Sequence, residues 1–208
     1  MTETNNNEIK TICVFCGSSA GRGKAYANHA RRLGKAIADT GCSLVYGGSN
    51  IGLMRILADT VISLGEKVTG VMPNGLANKE IAHEGLHDFH LVDTMHERKA
   101  LMASMSDAFI AMPGGIGTLD EIFEIMSWNQ LDIISKPAAL YNVEGYYDHL
   151  LKFLDHTVNE HFVRYEHRNN LLVDDDPQRL LNRIMNFAPH RPPSKWVDDL
   201  KIATNNLL

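Results

Sequence analysis

The chain has 208 residues, of which 44% are apolar, 7% aromatic and 22% charged. At roughly 150 residues per domain, that length reads as one domain spanning 1–208, with 1–9 and 188–208 as peripheral tails, and the apolar share excludes wholesale disorder. Twenty Lys and Arg against twenty-five Asp and Glu leave a formal charge of −5, which argues against a bulk-basic nucleic-acid binder but leaves room for a local basic pocket.

The start from Met1 to Glu8 is polar and Asn-rich, without the apolar core of a signal peptide. No stretch reaches the roughly 18 consecutive apolar residues of a spanning helix. Three cysteines, Cys13, Cys16 and Cys42, make no disulfide framework. The expected address is the cytoplasm, with no membrane partner and no nucleic-acid partner.

In chain order, Thr11 to Phe15 is a buried-strand run that ends in a Gly17-Ser18-Ser19 turn. Small and apolar residues then fall at helical spacing from Ala27 to Ala38, with Gly41 as the stop. Ser43 to Tyr46 is a second strand, broken by Gly47-Gly48, before a helix from Gly52 to Leu64. Lys67 to Met72 is a strand closed by Pro73, and Asn74 to His90 reads as irregular and polar. A short strand Leu91–Asp93 precedes a helix from Met95 to Met105, and Ala108 to Met112 is the next strand. A helix beginning at Thr118 runs to Leu131, and Pro137 to Tyr141 is the last clear core strand. Two amphipathic helices, Tyr146–Glu160 and Pro177–Asn186, precede a Pro-rich tail.

Strands separated by helix-length segments predict an α/β fold: a Rossmann-like, doubly wound parallel sheet with helices on both faces. Ligands of such sheets bind outside the carboxyl ends of the strands. Three glycine clusters, at Gly17, Gly47-Gly48 and Gly114-Gly115-Gly117, follow strands directly and are expected to converge on one rim.

The strongest local signal is Pro113-Gly114-Gly115-Ile116-Gly117-Thr118-Leu119-Asp120-Glu121. Glycines at a strand end let several N–H groups share one concavity, and the following helix adds its positive end, so a phosphate is the obvious occupant. Thr118 and Glu121 also fit a plain capping box, which stands beside the phosphate reading.

A second signal is Met95-His96-Glu97-Arg98-Lys99, with Thr94 and Glu97 as another capping box. Arg98 and Lys99 so near a helix start oppose its dipole at about 0.3–1 kcal/mol each, a conflict that an anionic ligand resolves or that solvation makes small. Gly47-Gly48-Ser49-Asn50-Ile51-Gly52 fits either close approach to a nucleotide or close helix–sheet packing.

Together these motifs resemble the "lonely guy" phosphoribohydrolases, a family also labelled lysine decarboxylases. The resemblance runs from about Ile12 to about Leu140 and includes intact Pro-Gly-Gly-x-Gly-Thr-x-x-Glu and Met-His-x-Arg-Lys motifs. It implies a Rossmann-like homodimer that cleaves nucleoside 5′-monophosphates, cytokinin ribotides or AMP, to free base and ribose 5-phosphate. No metal or cofactor is implied.

By the same resemblance Arg98 and Glu121 are the catalytic pair. Gly114, Gly115, Ile116, Gly117, Thr118, Leu119, Asp120 and Glu121 form the phosphate and ribose cradle, with Lys99 beside it. Glu80 and Ser127 match further substrate contacts, Ser127 where relatives usually carry Thr. Gly17, Ser18, Gly47, Gly48 and Met95 are additional candidates. Ser49 and Arg55 depart from the family pattern, each replacing a glycine, and are expected to touch pocket size and base preference.

The alternative is a non-catalytic nucleotide or molybdenum-cofactor carrier of the same fold. An NAD-dependent oxidoreductase lacks its Gly-x-Gly-x-x-Gly after the first strand, and the resemblance supplies no Schiff-base lysine for a pyridoxal-dependent decarboxylase. Cys13 and Cys16 are expected in or near a buried strand, and His83, His87 and His90 on the surface, rather than as metal ligands. Met102, Met105, Met112 and Met126 are expected as core filler.

Overall fold

A computed structural model describes residues 8–77 and 82–190. Seven strands form one sheet in the order β4-β3-β2-β1-β5-β6-β7, with every neighbouring pair parallel. They are β1 Thr11–Phe15, β2 Ser43–Tyr46, β3 Val68–Pro73, β4 Asp88–Val92, β5 Ala108–Ala111, β6 Ala138–Tyr141 and β7 Leu171–Asp174. Among the described residues, eight α-helices connect or flank them: α1 Ala25–Asp39, α2 Gly52–Ser63, α3 Asn74–Ala77, α4 Met95–Ser104, α5 Ile116–Gln130, α6 Asp148–Asn159, α7 Tyr165–Asn169 and α8 Pro177–Met185.

Alternation along the strands sorts the core into two layers. Ile12, Val14, Leu44, Tyr46 and Ile110 face one layer, which is completed by α1, α2 and α8. Cys13, Phe15, Val45, Phe109 and Ala111 face the other, against Met102 of α4, Ile122 and Ile125 of α5 and Leu154 of α6. Both faces are covered, so the expected Rossmann-like α/β architecture is the one observed.

The sheet order reverses between β1 and β5: β2, β3 and β4 extend to one side, β5, β6 and β7 to the other. Loops leaving β1 and β5 diverge there and open a crevice at the carboxyl edge.

The elements missed by sequence have physical reasons. β7 is a short apolar run between polar neighbours, and it adds a strand beyond the expected last one. β4 starts at Asp88, three residues before the expected Leu91, because an edge strand with exposed Asp88 and His90 carries no apolar run. The short helix α3 lies in the stretch expected to be irregular, and α7 lies between the two expected amphipathic helices, where no element was expected. α5 begins at Ile116, two residues before the expected Thr118. Among the described residues, no helix is long and apolar enough to cross a membrane.

Candidate active site at the β1–β5 crevice

A cavity of about 350 Å³ opens at the sheet reversal. Gly17 and Ser18 after β1, Gly47 after β2, and Gly115, Ile116 and Gly117 after β5 all line it. The three glycine clusters therefore share one rim, as expected. The loops are tied together: the Gly17 N–H donates to the Pro113 carbonyl at 3.1 Å.

At the α5 terminus Gly115 is the N-cap, and no side chain caps the helix. The expected Thr118–Glu121 capping box does not form, because the helix starts two residues early and moves Thr118 inside its first turn. The N–H groups of Gly115, Ile116, Gly117 and Thr118 are the four that a helix start leaves free, and none donates to a protein acceptor among the described residues. Four open donors at the positive end of a fifteen-residue helix suit an anion such as phosphate.

Arg98 and Glu121 meet in this cavity. Arg98 Nη1 donates to Glu121 Oε1 at 2.9 Å, and Arg98 Nε donates to the Val71 carbonyl of β3 at 3.0 Å. Their side chains are only 12% and 8% exposed, so this is a desolvated pair rather than a surface ion pair. Burial pushes the Glu121 carboxyl above its ordinary pKa, while the Arg98 charge pulls it back down. Burial also pushes the Cys16 thiol, on the same wall, well up, so it stays protonated.

The cations near the start of α4 are balanced by the protein itself, not by ligand or solvent as expected from sequence. Glu121 takes Arg98, and Lys99 Nζ sits between Asp120 at 3.0 Å and Glu124 at 3.1 Å. The Thr94–Glu97 cap does form: Thr94 Oγ1 accepts from the Glu97 N–H, and Glu97 Oε2 accepts from the Asp93 N–H.

Of the sequence candidates, Arg98, Gly115, Ile116, Gly117, Thr118, Glu121, Gly17, Ser18 and Gly47 line the cavity. Several others do not. Leu119 and Asp120 turn away because successive helical residues rotate by about 100°. Lys99 is held by its two carboxylates, and Met95 is exposed off the cavity. Gly114 lies beneath the loop, where a Cβ would come 2.1 Å from Thr118 Oγ1. Gly48, at φ +77°, packs against Phe89. Ser127 lies about 9 Å beyond Glu121 along α5 at 1.5 Å per residue and lines a separate cavity. Glu80 lies outside the described residues.

Neither departure from the family pattern touches the cavity. Ser49 is fully buried with an unpartnered hydroxyl, and Arg55 is exposed and pairs with Asp59 one helical turn on. His87 and His90 are exposed as expected, whereas His83 is half-buried, with 8% of its side chain exposed and its Nε2 2.8 Å from Asp59. Met102 both fills the core and lines the cavity, joined by Met54, Met72, Pro73 and Leu76. Sequence gave no reason to separate these residues from ordinary packing.

The family described as "Possible lysine decarboxylase" matches residues 54–184. A probable cytokinin riboside 5′-monophosphate phosphoribohydrolase of Oryza sativa subsp. japonica is 42% identical over 194 residues, covering 91% of this chain and 78% of its own. A cytokinin riboside 5′-monophosphate phosphoribohydrolase of Arabidopsis thaliana is 43% identical over 183 residues, covering 88% and 86%. The chain belongs to the lonely-guy phosphoribohydrolase family.

Solved structures with the same fold include a molybdenum cofactor binding protein from Rippkaea orientalis (TM-score 0.65, 21% identity, 86% of this chain and 96% of that one). A molybdenum cofactor carrier protein from Chlamydomonas reinhardtii gives a TM-score of 0.61 at 20% identity, over 84% and 99%. At that identity the likeness is one of fold alone. The lonely-guy family assignment rests on the phosphoribohydrolase relatives.

Proposed function

We propose that this lonely-guy family member hydrolyses the N-glycosidic bond of nucleoside 5′-monophosphates, cytokinin ribotides or AMP, to a free base and ribose 5-phosphate. The observation that carries this reading is the buried Arg98–Glu121 pair in the same cavity as the four open N–H groups of α5.

In the reaction, water oxygen bonds to C1′ of the ribose and the C1′–N bond breaks. Its electron pair stays with the base nitrogen, which takes up the proton that water gives up. Positive charge builds on the sugar in the transition state, and an ionised carboxylate beside C1′ stabilises it or activates the water. Glu121 fills that role. Arg98 holds the carboxylate in place and favours its charged form, tied in turn to β3 through the Val71 carbonyl. The phosphate stays intact and docks on the α5 terminus, fixing the reacting sugar, so binding energy remote from the bond is available for rate. Apolar lining from Met54, Met72, Pro73 and Leu76 suits an adenine that carries a prenyl group.

The proposal extends to a second copy of the chain as partner. Large apolar side chains left uncovered, Leu131, Ile133, Phe162 and Tyr165, support it. It extends also to the cytoplasm, supported by three buried free thiols of the kind a reducing compartment maintains.

The test is incubation with AMP and with a prenylated AMP, followed by assay of ribose 5-phosphate. Release from either supports the reading; release from no purine or pyrimidine monophosphate overturns it. Light scattering at the mass of one chain would overturn the dimer.

A further inference from the structure

The glycine loop that ends in the α5 terminus is held from outside the cavity by two consecutive tyrosines. Tyr147, buried, donates its hydroxyl to the Met112 carbonyl at 2.6 Å, and Tyr146, 43% exposed, donates to the Gly114 carbonyl, also at 2.6 Å. Both follow a tight turn in which Glu144 and Gly145 take left-handed φ values of +51° and +69°. Tyr146 is braced edge-on by Tyr26 on one side and Tyr147 on the other, with ring centroids 6.0 and 5.0 Å away. Its hydroxyl position is thus set by packing, independently of the loop it reaches.

The peptide it grips joins two glycines, Gly114 and Gly115, and a Gly-Gly link is the one most free to rotate as a unit. The carbonyl and N–H of one trans peptide point in opposite directions. With the Gly114 carbonyl bound to Tyr146, the Gly115 N–H is turned away from that ring. Gly115 lines the cavity and Tyr146 does not. The bond therefore aims the Gly115 N–H at the cavity side, beside those of Ile116, Gly117 and Thr118.

We propose that Tyr146 is a positioning residue for phosphate: its hydroxyl holds the Gly114–Gly115 peptide in the orientation that adds a fourth N–H donor to the anion site. This rests on the phosphate reading above. Without the hydroxyl the peptide populates both orientations, and in the flipped one a carbonyl oxygen faces the anion.

The test is titration of the 15N-labelled full chain and of its Y146F variant with ribose 5-phosphate and with inorganic phosphate. Phenylalanine keeps the ring against Tyr26 and Tyr147, and thermal unfolding checks that the fold is retained. The expected result is affinity for both ligands lowered about tenfold in Y146F, the size of one hydrogen bond to a charged group. The Gly115 amide resonance, shifted by ligand in the parent, should respond weakly in the variant. With a nucleoside 5′-monophosphate, KM should rise more than kcat falls. Equal affinities and the same Gly115 response in both proteins would overturn the role of Tyr146 alone. A parent chain that binds neither ligand would overturn the phosphate site itself, and this inference with it.

Discussion

The space that a side chain at position 47 would need is occupied by Arg98. A Cβ on Gly47 would lie 2.3 Å from Arg98 Nη2 and 3.0 Å from Met54 Sδ. Both atoms are ends of flexible side chains, so Gly47→Ala is expected to fold, but with the guanidinium pushed off Glu121. Misplacement of a reacting constellation by about 1 Å costs roughly 100-fold. We expect kcat/KM to fall by about that factor, with the fold retained but Tm lowered because the desolvated pair is disturbed, measured by steady-state assay and thermal unfolding. Normal turnover would show that the Arg98 position is not critical.

Burial holds the Glu121 proton more tightly in the folded chain than in the unfolded one, with Arg98 opposing it. Because folding raises this pKa, the group's contribution to stability is fully present below its unfolded pKa and is lost as pH rises through the folded value. The role proposed for Glu121 needs its ionised form, so the acidic limb of kcat is expected above the ordinary carboxylate range. NMR titration of the Glu121 carboxyl carbon checks this without the substrate phosphate interfering. Arg98→Ala removes the nearest cation that lowers the pKa, so its midpoint and its acidic limb should both move to higher pH. A midpoint below the ordinary carboxylate value in the parent chain would mean that ion pairing outweighs burial.

The helix carrying Arg98 is anchored at its far end by Lys136. Its Nζ donates to the carbonyls of Ala103 and Ser106 at 3.0 and 2.7 Å, and Asn129 brackets its backbone with two hydrogen bonds. A cation at a helix C-terminus also suits the dipole. Lys136→Met is expected to cost about 1–2 kcal/mol, or roughly 2–8 °C in Tm for a chain of this size, with KM and kcat changed less than about twofold. Calorimetry and a steady-state assay together check it.

The layout of the site was legible where strands are apolar runs and loops are glycine-rich. Thr11–Phe15, Ser43–Tyr46 and Ala108–Ala111 declared themselves, and so the convergence of Gly17, Gly47 and Gly115 followed. The half-exposed edge strand β4 and the short β7 lack that apolar signal. Motif membership also said which residues belong together without saying which way they point. Asp120 and Lys99 lie within the motifs yet pair with each other beside the cavity, and Ser127 is carried away along α5. The grip of Tyr146 on Gly114 links positions 32 apart and leaves no periodic or compositional trace.

A single-turnover experiment with excess Glu121→Gln enzyme tests the proposed role of the Glu121 carboxylate most directly. Glutamine keeps the shape and an oxygen for Arg98 but cannot ionise. With prenylated AMP, the parent chain is expected to release base and ribose 5-phosphate in equal amounts. The variant should still bind the nucleotide but release product about 10²–10⁴-fold more slowly. Product release at the parental rate by a folded variant would show that the Glu121 carboxylate does not carry the reaction.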